Sequence, residues 1–338
     1  MAVTLKDIAR EADVTLMTVS NVINGRHAKA SQATIDKVLA IADRLGYVPS
    51  AAARSLASNS SRIIGVLVHD RGNGNVLQDP YTASMVGAIE PALRQHGYHL
   101  LLQGIPDPVN VPATFRAWNL DGAIFLGFLD STLRPMTRNV GKPLVAMESY
   151  TQHPDFMNVR LDDRDGGYQA TKHLLDNGHR AIAFVGRLTA ERAVNRERFE
   201  GYKRALEHAG IPVDESLSFD AVNSHSAGIS VGRSLKEQCP EVTAVFATAD
   251  LLAIGIMEGL ASAGLNVPKD VSVVGFDDLD IATYISPKLT TVAQDVQAKA
   301  AAAVELLMDR LQEPTKETAD RVLGVQLVQR ESVKRLAH

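Results

Sequence analysis

The sequence predicts a small all-α headpiece of three helices, arranged as a helix-turn-helix, followed by a larger α/β core of two doubly wound lobes. Three observations predict it. Residues 4–25 hold two short amphipathic helices joined by a tight turn, and a third helical stretch follows. From Arg62 onward, apolar runs without polar alternation succeed helical stretches in β-α-β order, as in parallel sheets covered on both faces. There are more such runs than one sheet holds, and a new start near Leu161-Asp162-Asp163 divides them into two similar halves.

Composition narrows the function. The 338 residues are 45% hydrophobic and 22% charged, which sets aside disordered and fibrous classes. No stretch reaches the roughly 18 unbroken apolar residues of a membrane helix. The start, MAVTLKDIAREA, lacks the basic and apolar segments of a secretion signal, so a cytoplasmic protein is expected. A single cysteine, Cys239, excludes an internal disulfide and a cysteine zinc site. The ten histidines show no paired ligand spacing, so neither metal nor cofactor is expected. Residues 1–61 carry seven basic and five acidic side chains, a net of +2; the whole chain is −4, leaving −6 for the remainder. A mildly basic head on an acidic body fits a phosphate-binding module joined to a part that does not bind nucleic acid.

The elements follow in order. Thr4 opens the first helix with Asp7 three residues on, the spacing of a capping box. Leu5, Ile8, Ala9 and Ala12 share one face, and Asp13-Val14 make the break. Thr15 caps a second helix, Leu16 to Ile23, which stops at Asn24-Gly25. Val19, Val22 and Ile23 give it a buried face; Leu16, Met17, Thr18, Ser20 and Asn21 remain to point elsewhere. This is the layout of a DNA-reading helix-turn-helix, the alternative being an ordinary helical hairpin. Ser31 caps a third helix with Ile35, Val38, Leu39, Ala42 and Leu45 on one face, ended by Gly46. Beyond the break at Tyr47–Ser50, Ala51–Ser58 suffices for about two helical turns, marginal in water by itself. In the core, ligands of open α/β sheets sit beyond the carboxyl ends of strands. The polar residues at those ends are His69, Asp70, Glu148, Asp162, Asp277 and Asp278.

Taken together, TLKDIAREADVTLMTVSNVING, the stretch from Ser31 to Ala57, and the core blocks RERFEGYKRAL and DVSVVGFDDLDIATYISPKLTTVAQD resemble the lac repressor (galactose/purine repressor) family. The resemblance covers residues 3–334. It implies a bacterial transcriptional regulator, a homodimer on double-stranded, pseudo-palindromic operator DNA. It also implies periplasmic-binding-protein-like core lobes with a small-molecule effector between them. The expected divisions are 1–49 headpiece, 50–61 hinge, 62–160 with 291–321 as the N-terminal lobe, and 161–290 with 322–338 as the C-terminal lobe. The absence of leucine heptads after Val333 favours a dimer over a tetramer.

The resemblance also implies site residues. Leu16 and Met17 take the base-reading positions, with Asn21 one turn on; Thr15, Thr18, Ser20 and Ser31 hold phosphates. Leu and Met read bases only by shape and thymine-methyl contact, whereas Asn21 has the groups to pair with adenine. In the hinge, Leu56 matches the minor-groove wedge, beside Ala53 and Arg54, while Ser50 replaces an asparagine common in the family. Arg198 matches the effector-clamping arginine and Asp277 its acidic partner. Glu148, His69, Tyr81, Asn223 and Gln294 fall near positions lining the cleft, as does Asp250, which alternatively caps the helix it begins. Arg192 and Arg196 read as a solvated face. Ala249 stands where relatives often have asparagine, removing an amide contact. Carboxylates at Glu148 and Asp277 repel anions and favour a neutral polyol, so a carbohydrate is expected, with a purine as the alternative.

One enzyme motif competes. Gly228 to Gly232 spells G-x-S-x-G, the nucleophile elbow of α/β-hydrolases, around Ser230. An elbow needs a strand directly before the serine and a helix directly after. Here Ser230 falls inside a helical stretch, so the glycines are expected to let a helix approach a sheet and no enzyme is expected. The Gly-rich stretch 71–75 lacks the lysine of a phosphate loop. A cell-envelope sugar receptor is set aside by the headpiece.

Overall fold

The computed structural model describes residues 3–27, 30–48, 60–70, 74–107, 111–137, 140–316 and 319–336. Headpiece and core are separate compact units and are described in turn.

The headpiece consists of α1 (Leu5–Ala12), α2 (Leu16–Ile23) and α3 (Gln32–Arg44). The Asp7 carboxylate accepts the Thr4 N–H (3.0 Å) and hydroxyl (2.7 Å), bonds that lower its pKa. Asp13 ends α1 in the left-handed region (φ 52°). Thr15 and Ser31 accept the N–H of Thr18 and Thr34 at the starts of α2 and α3. Ile8, Ala12, Val19, Val22, Ile35, Val38, Ile41 and Ala42 form the core. Leu39, expected on that face, is 44% exposed, and Ile41 is buried instead. At about 100° per residue, Leu39 lies a quarter-turn round the helix from the centre of the stripe at Val38 and Ala42.

The core contains two six-stranded sheets. The first has β1 (Ile63–His69), β2 (His99–Ile105), β3 (Gly122–Leu126), β4 (Leu144–Met147), β5 (Phe156–Leu161) and β11 (Arg321–Leu323), in the order β11-β5-β4-β3-β1-β2. The second has β6 (Ile182–Val185), β7 (Ser218–Phe219), β8 (Ala244–Ala247), β9 (Ser272–Asp277), β10 (Thr290–Ala293) and β12 (Gln326–Val328), in the order β12-β10-β9-β8-β6-β7. Leaving out β11 and β12, both sheets run 2-1-3-4-5, a doubly wound order whose ligands bind at the carboxyl ends of strands. The pairing is parallel from β1 through β3, β4 and β5, while β12 runs antiparallel to β10.

Helices α4 (Pro80–Gln95), α5 (Val111–Trp118), α6 (Asp130–Leu133), α7 (Asp163–Asp176), α8 (Val194–His208), α9 (His225–Gln238), α10 (Asp250–Ser262), α11 (Ile281–Tyr284) and α12 (Val296–Gln312) complete the core. Met85 and Ile89 of α4 and Val304 and Leu307 of α12 pack on the first sheet. Leu252 and Ile256 of α10 cover one face of the second sheet, and Leu174 of α7 with Tyr202 of α8 the other. Two expected divisions shift. Thr290–Ala293 pairs with β9, so the chain changes sheet after Ala293 and not at 290/291. β11 pairs with β5 through Leu323, so the last change falls beyond 321/322. Short strands between loops have no composition that marks which sheet will pair with them.

The glycines of the G-x-S-x-G motif meet a helix, not a sheet. A Cβ on Gly228 or Gly232 would overlap the backbone of α10 at Leu252 and Ile256, and Gly255 and Gly259 answer from α10. Gly167 and Gly201 join α7 and α8 in the same way. Among the described residues no helix is long and apolar enough to cross a membrane.

Candidate functional site

In the headpiece, α2 presents its first turn outward. Leu16 and Met17 are 45% and 70% exposed, against the buried Val19 and Val22 on the opposite face. Thr15 and Ser31 are exposed and Thr18, Ser20 and Asn21 half-buried. The Thr15 and Thr18 hydroxyls share a 2.9 Å bond, and Ser20 is engaged by Asn24, whose amide donates to the Ser20 carbonyl (2.7 Å). The hinge positions Ser50, Ala53, Arg54 and Leu56 lie outside the described residues.

In the core, side chains from the two sheets meet at the carboxyl ends of the strands. Glu148 follows β4 and Asp277 ends β9, both at positive φ (57° and 120°), as does Asp278 (58°). Such conformations are strained outside glycine and concentrate at functional sites. Tyr81, at the start of α4, donates its hydroxyl to Glu148 Oε1 (2.5 Å). Lys299 of α12 pairs with the same oxygen and donates to Tyr81 Oη (3.2 Å) and Gln294 Oε1 (3.1 Å). Gln294 then donates to Asp277 Oδ1 (2.6 Å). A continuous chain of hydrogen bonds therefore runs from the first lobe to the second through Gln294.

Arg198 of α8 is buried in the second lobe. Its Nε donates to Asp163 Oδ1 (2.9 Å), its Nη1 to the Thr248 carbonyl (2.6 Å), and its guanidinium lies 3.5 Å from the centre of the Phe276 ring. The close approach of α7 and α8 at Gly167 and Gly201 makes this pairing possible. Tyr150 donates to the other oxygen of Asp163 (2.9 Å), and Asn223 accepts the Thr248 hydroxyl (3.2 Å). His69 ends β1, its ring 5.2 Å from that of Phe128.

The electrostatics follow from burial and pairing. Burial works to raise the Glu148 carboxyl, but Lys299 beside it prevails and holds it below its ordinary value. Burial pushes Asp277 well up, against the pull of Arg198. Burial also raises Tyr81 well above a normal phenol, with Glu148 adding to it. Arg198 is desolvated, yet its carboxylate neighbours, Asp163 first, raise its pKa.

Tyr81, Glu148, Gln294 and Asp277 are thus brought together, with Arg198 close enough to act on them electrostatically. Three expectations change. Glu148 is not an unpaired carboxylate, because Lys299 neutralises it. Asp250 is wholly buried, and both its oxygens are taken, by the Thr291 hydroxyl (2.5 Å) and the Leu279 N–H (2.9 Å), so it braces the loop after β9 and does not face the cleft. Arg192 is not simply solvated: it pairs with Glu197 (2.7 Å) and lies 4.7 Å from the Tyr150 ring centre. Ser230 sits mid-helix in α9 and donates its hydroxyl to the Ser226 carbonyl (3.1 Å), without the strand-turn-helix of an elbow.

Lys299 and Asp163 are not among the site residues the sequence predicts. Lys299 carried a signal: it interrupts the apolar stripe of Val296, Ala300, Ala303 and Leu307, where a charge needs a buried partner. Asp163 is one of two acidic residues in the first turn of its helix, and nothing in the local sequence sets it apart.

Residues 4–50 match the family model for bacterial regulatory proteins of the lacI family, and residues 171–333 a periplasmic binding protein-like domain. The fold is similar to that of the lac repressor dimer bound to operator and the anti-inducer ONPF, with a TM-score of 0.84, 27% identity and coverage of 99% of this chain and 100% of that one. The transcriptional regulator CelR in complex with cellobiose gives a TM-score of 0.74 and 31% identity over 98% of this chain and 99% of that one. The HTH-type transcriptional repressor PurR of Photobacterium profundum is 33% identical over 98% of this chain and 99% of its own length. With a third of its residues shared along nearly the whole of both chains, the protein belongs to the lacI family of bacterial regulatory proteins.

Proposed function

We propose that this lacI-family repressor binds operator DNA as a dimer and that a neutral carbohydrate held between its core lobes controls that binding. Residues 1–49 are the DNA-binding unit and 50–61 the hinge. Leu16, Met17 and Asn21 read bases in the major groove, and Thr15, Thr18, Ser20 and Ser31 hold phosphates. Ala53, Arg54 and Leu56 engage the minor groove. The likeness to the lac repressor dimer on operator supports this half of the reading.

The effector half rests on one observation: the buried charges gathered beside the strand ends are paired with one another. Lys299 offsets Glu148, and Asp163 offsets Arg198. Asp277 has its pKa pushed well up. Within each of these two ion pairs the charges cancel, and acceptor and donor atoms from both lobes converge. A hydroxyl both donates and accepts, so a polyol satisfies Glu148 and Arg198 together. His69, Tyr81, Asn223, Asp277 and Gln294 complete the lining. The CelR–cellobiose complex supports the sugar reading. A purine is the second reading, favoured by the full-length likeness to PurR.

Thermal unfolding with cellobiose, D-galactose, D-ribose, hypoxanthine and guanine separates the two. A ligand at about 100 times its Kd stabilises the core by about 2.7 kcal/mol. A shift with hypoxanthine or guanine and none with the sugars overturns the carbohydrate reading. The ligand that binds is expected to change operator affinity as well.

A further inference from the structure

Lys299 is fully buried within the core. An ammonium has three N–H groups, and here all three find acceptors in Glu148 Oε1, Tyr81 Oη and Gln294 Oε1. It has no donor left for a bound molecule. It does determine what its neighbours offer. Glu148 Oε1 is saturated by Lys299 and Tyr81, so Oε2 is the oxygen left to accept, on a carboxylate held charged. Gln294 has its carbonyl oxygen taken by Lys299, so its NH₂ must turn the other way, and it donates to Asp277 Oδ1 (2.6 Å). One ammonium thereby engages the strand-end carboxylate of the first lobe directly and, through the Gln294 amide, reaches that of the second.

We propose that Lys299 is the positioning residue of the effector site, fixing Glu148 as an acceptor-only arm and Gln294 as a donor toward Asp277. The effector end that meets Glu148 must then donate a hydrogen bond, as a sugar hydroxyl or a ring N–H does, and cannot be a carboxylate or phosphate. This rests on the effector cleft proposed above.

The charged and titratable groups facing Glu148 are Tyr81 from α4, Lys299 from α12, Arg198 from α8, Asp163 from α7 and Asp277 from β9. With Lys299→Met, burial dominates and the Glu148 carboxyl moves up. Its folded pKa then exceeds its unfolded one, so stability is retained at low pH and lost as pH rises through the new value. Effector binding moves oppositely, because the carboxylate accepts a hydroxyl better than the protonated acid does.

The test compares wild type, Lys299→Met and the double variant Glu148→Gln/Lys299→Met between pH 5.5 and 8.5. Thermal unfolding without ligand is measured first, then affinity for cellobiose, D-galactose, D-ribose and hypoxanthine. Expected for Lys299→Met are a melting temperature that falls relative to wild type as pH rises and an affinity that climbs by up to about tenfold per pH unit. The double variant removes the titrating group and tracks the wild-type pH profile in both measurements. A uniform loss at every pH, unchanged in the double variant, overturns the proposal. If none of the four compounds stabilises wild type, the effector reading fails on its own, and the ligand-free unfolding profile still decides whether Lys299 holds Glu148 charged.

Discussion

Replacing Arg198 with methionine isolates the charge at the centre of the second lobe. The change removes the bonds to Asp163 (2.9 Å) and Thr248 (2.6 Å) and the cation over Phe276, while an unbranched side chain still fills much of the space. Asp163 is left fully buried, with the Tyr150 hydroxyl (2.9 Å) as its remaining side-chain donor among the described residues. Breaking a buried pair by removing one partner costs about 3–5 kcal/mol, since the surviving charge keeps its desolvation without its counter-ion. Burial already raises Asp163 above its ordinary value despite Arg198. Without the arginine it rises further, so the carboxyl is more readily protonated, and escapes more of the penalty, at pH 5.5 than at pH 8. Urea unfolding at both values measures this. Arg198→Met is expected to lose more stability at pH 8 than at pH 5.5. In the double variant with Asp163→Asn, the loss should fall short of the summed single losses by more than about 1 kcal/mol. If the single losses add to within about 0.5 kcal/mol and neither depends on pH, the pair does not carry the energy assigned to it.

Two further outcomes are expected. Gly201→Ala places a methyl against the Arg164 carbonyl and 2.6 Å from the Tyr168 nitrogen, backbone atoms that cannot swing aside. It should destabilise the core by more than the roughly 1–3 kcal/mol of ordinary overpacking and move Arg198 from Asp163, read by chemical denaturation and by loss of ligand binding. Burial lifts Asp250 to about 7, outweighing the hydrogen bonds from Thr291 and Leu279. A group raised in the folded state contributes stability that is lost as pH climbs from its unfolded value near 3.8 through about 7. Asp250→Asn should flatten that decline without abolishing it, because Asp277 is raised as well. A pH slope identical to wild type contradicts the assignment.

The headpiece was legible because its signals are local. Thr15 and Ser31 cap the helices whose starts they mark, and the periodic apolar residues form the core, apart from Leu39 at the edge of its stripe. Glu148 and Asp277 were also legible, since a polar residue closing an apolar run stands at a strand end wherever that strand is placed. The glycine pairs were visible as small residues, but their partner was a helix from another stretch of chain.

The sequence by itself therefore determined the three-helix head, the two doubly wound lobes and which polar side chains close the strands, because caps, periodicity and strand composition act over a few residues. Tertiary structure alone decided which charges face which: Lys299 against Glu148 across 151 positions, Arg198 against Asp163 across 35, and Asp250 turned inward to Thr291. Those pairings depend on how sheets and helices from distant segments stack, and in a buried setting the pairing fixes whether a carboxyl is a charged acceptor or a neutral acid.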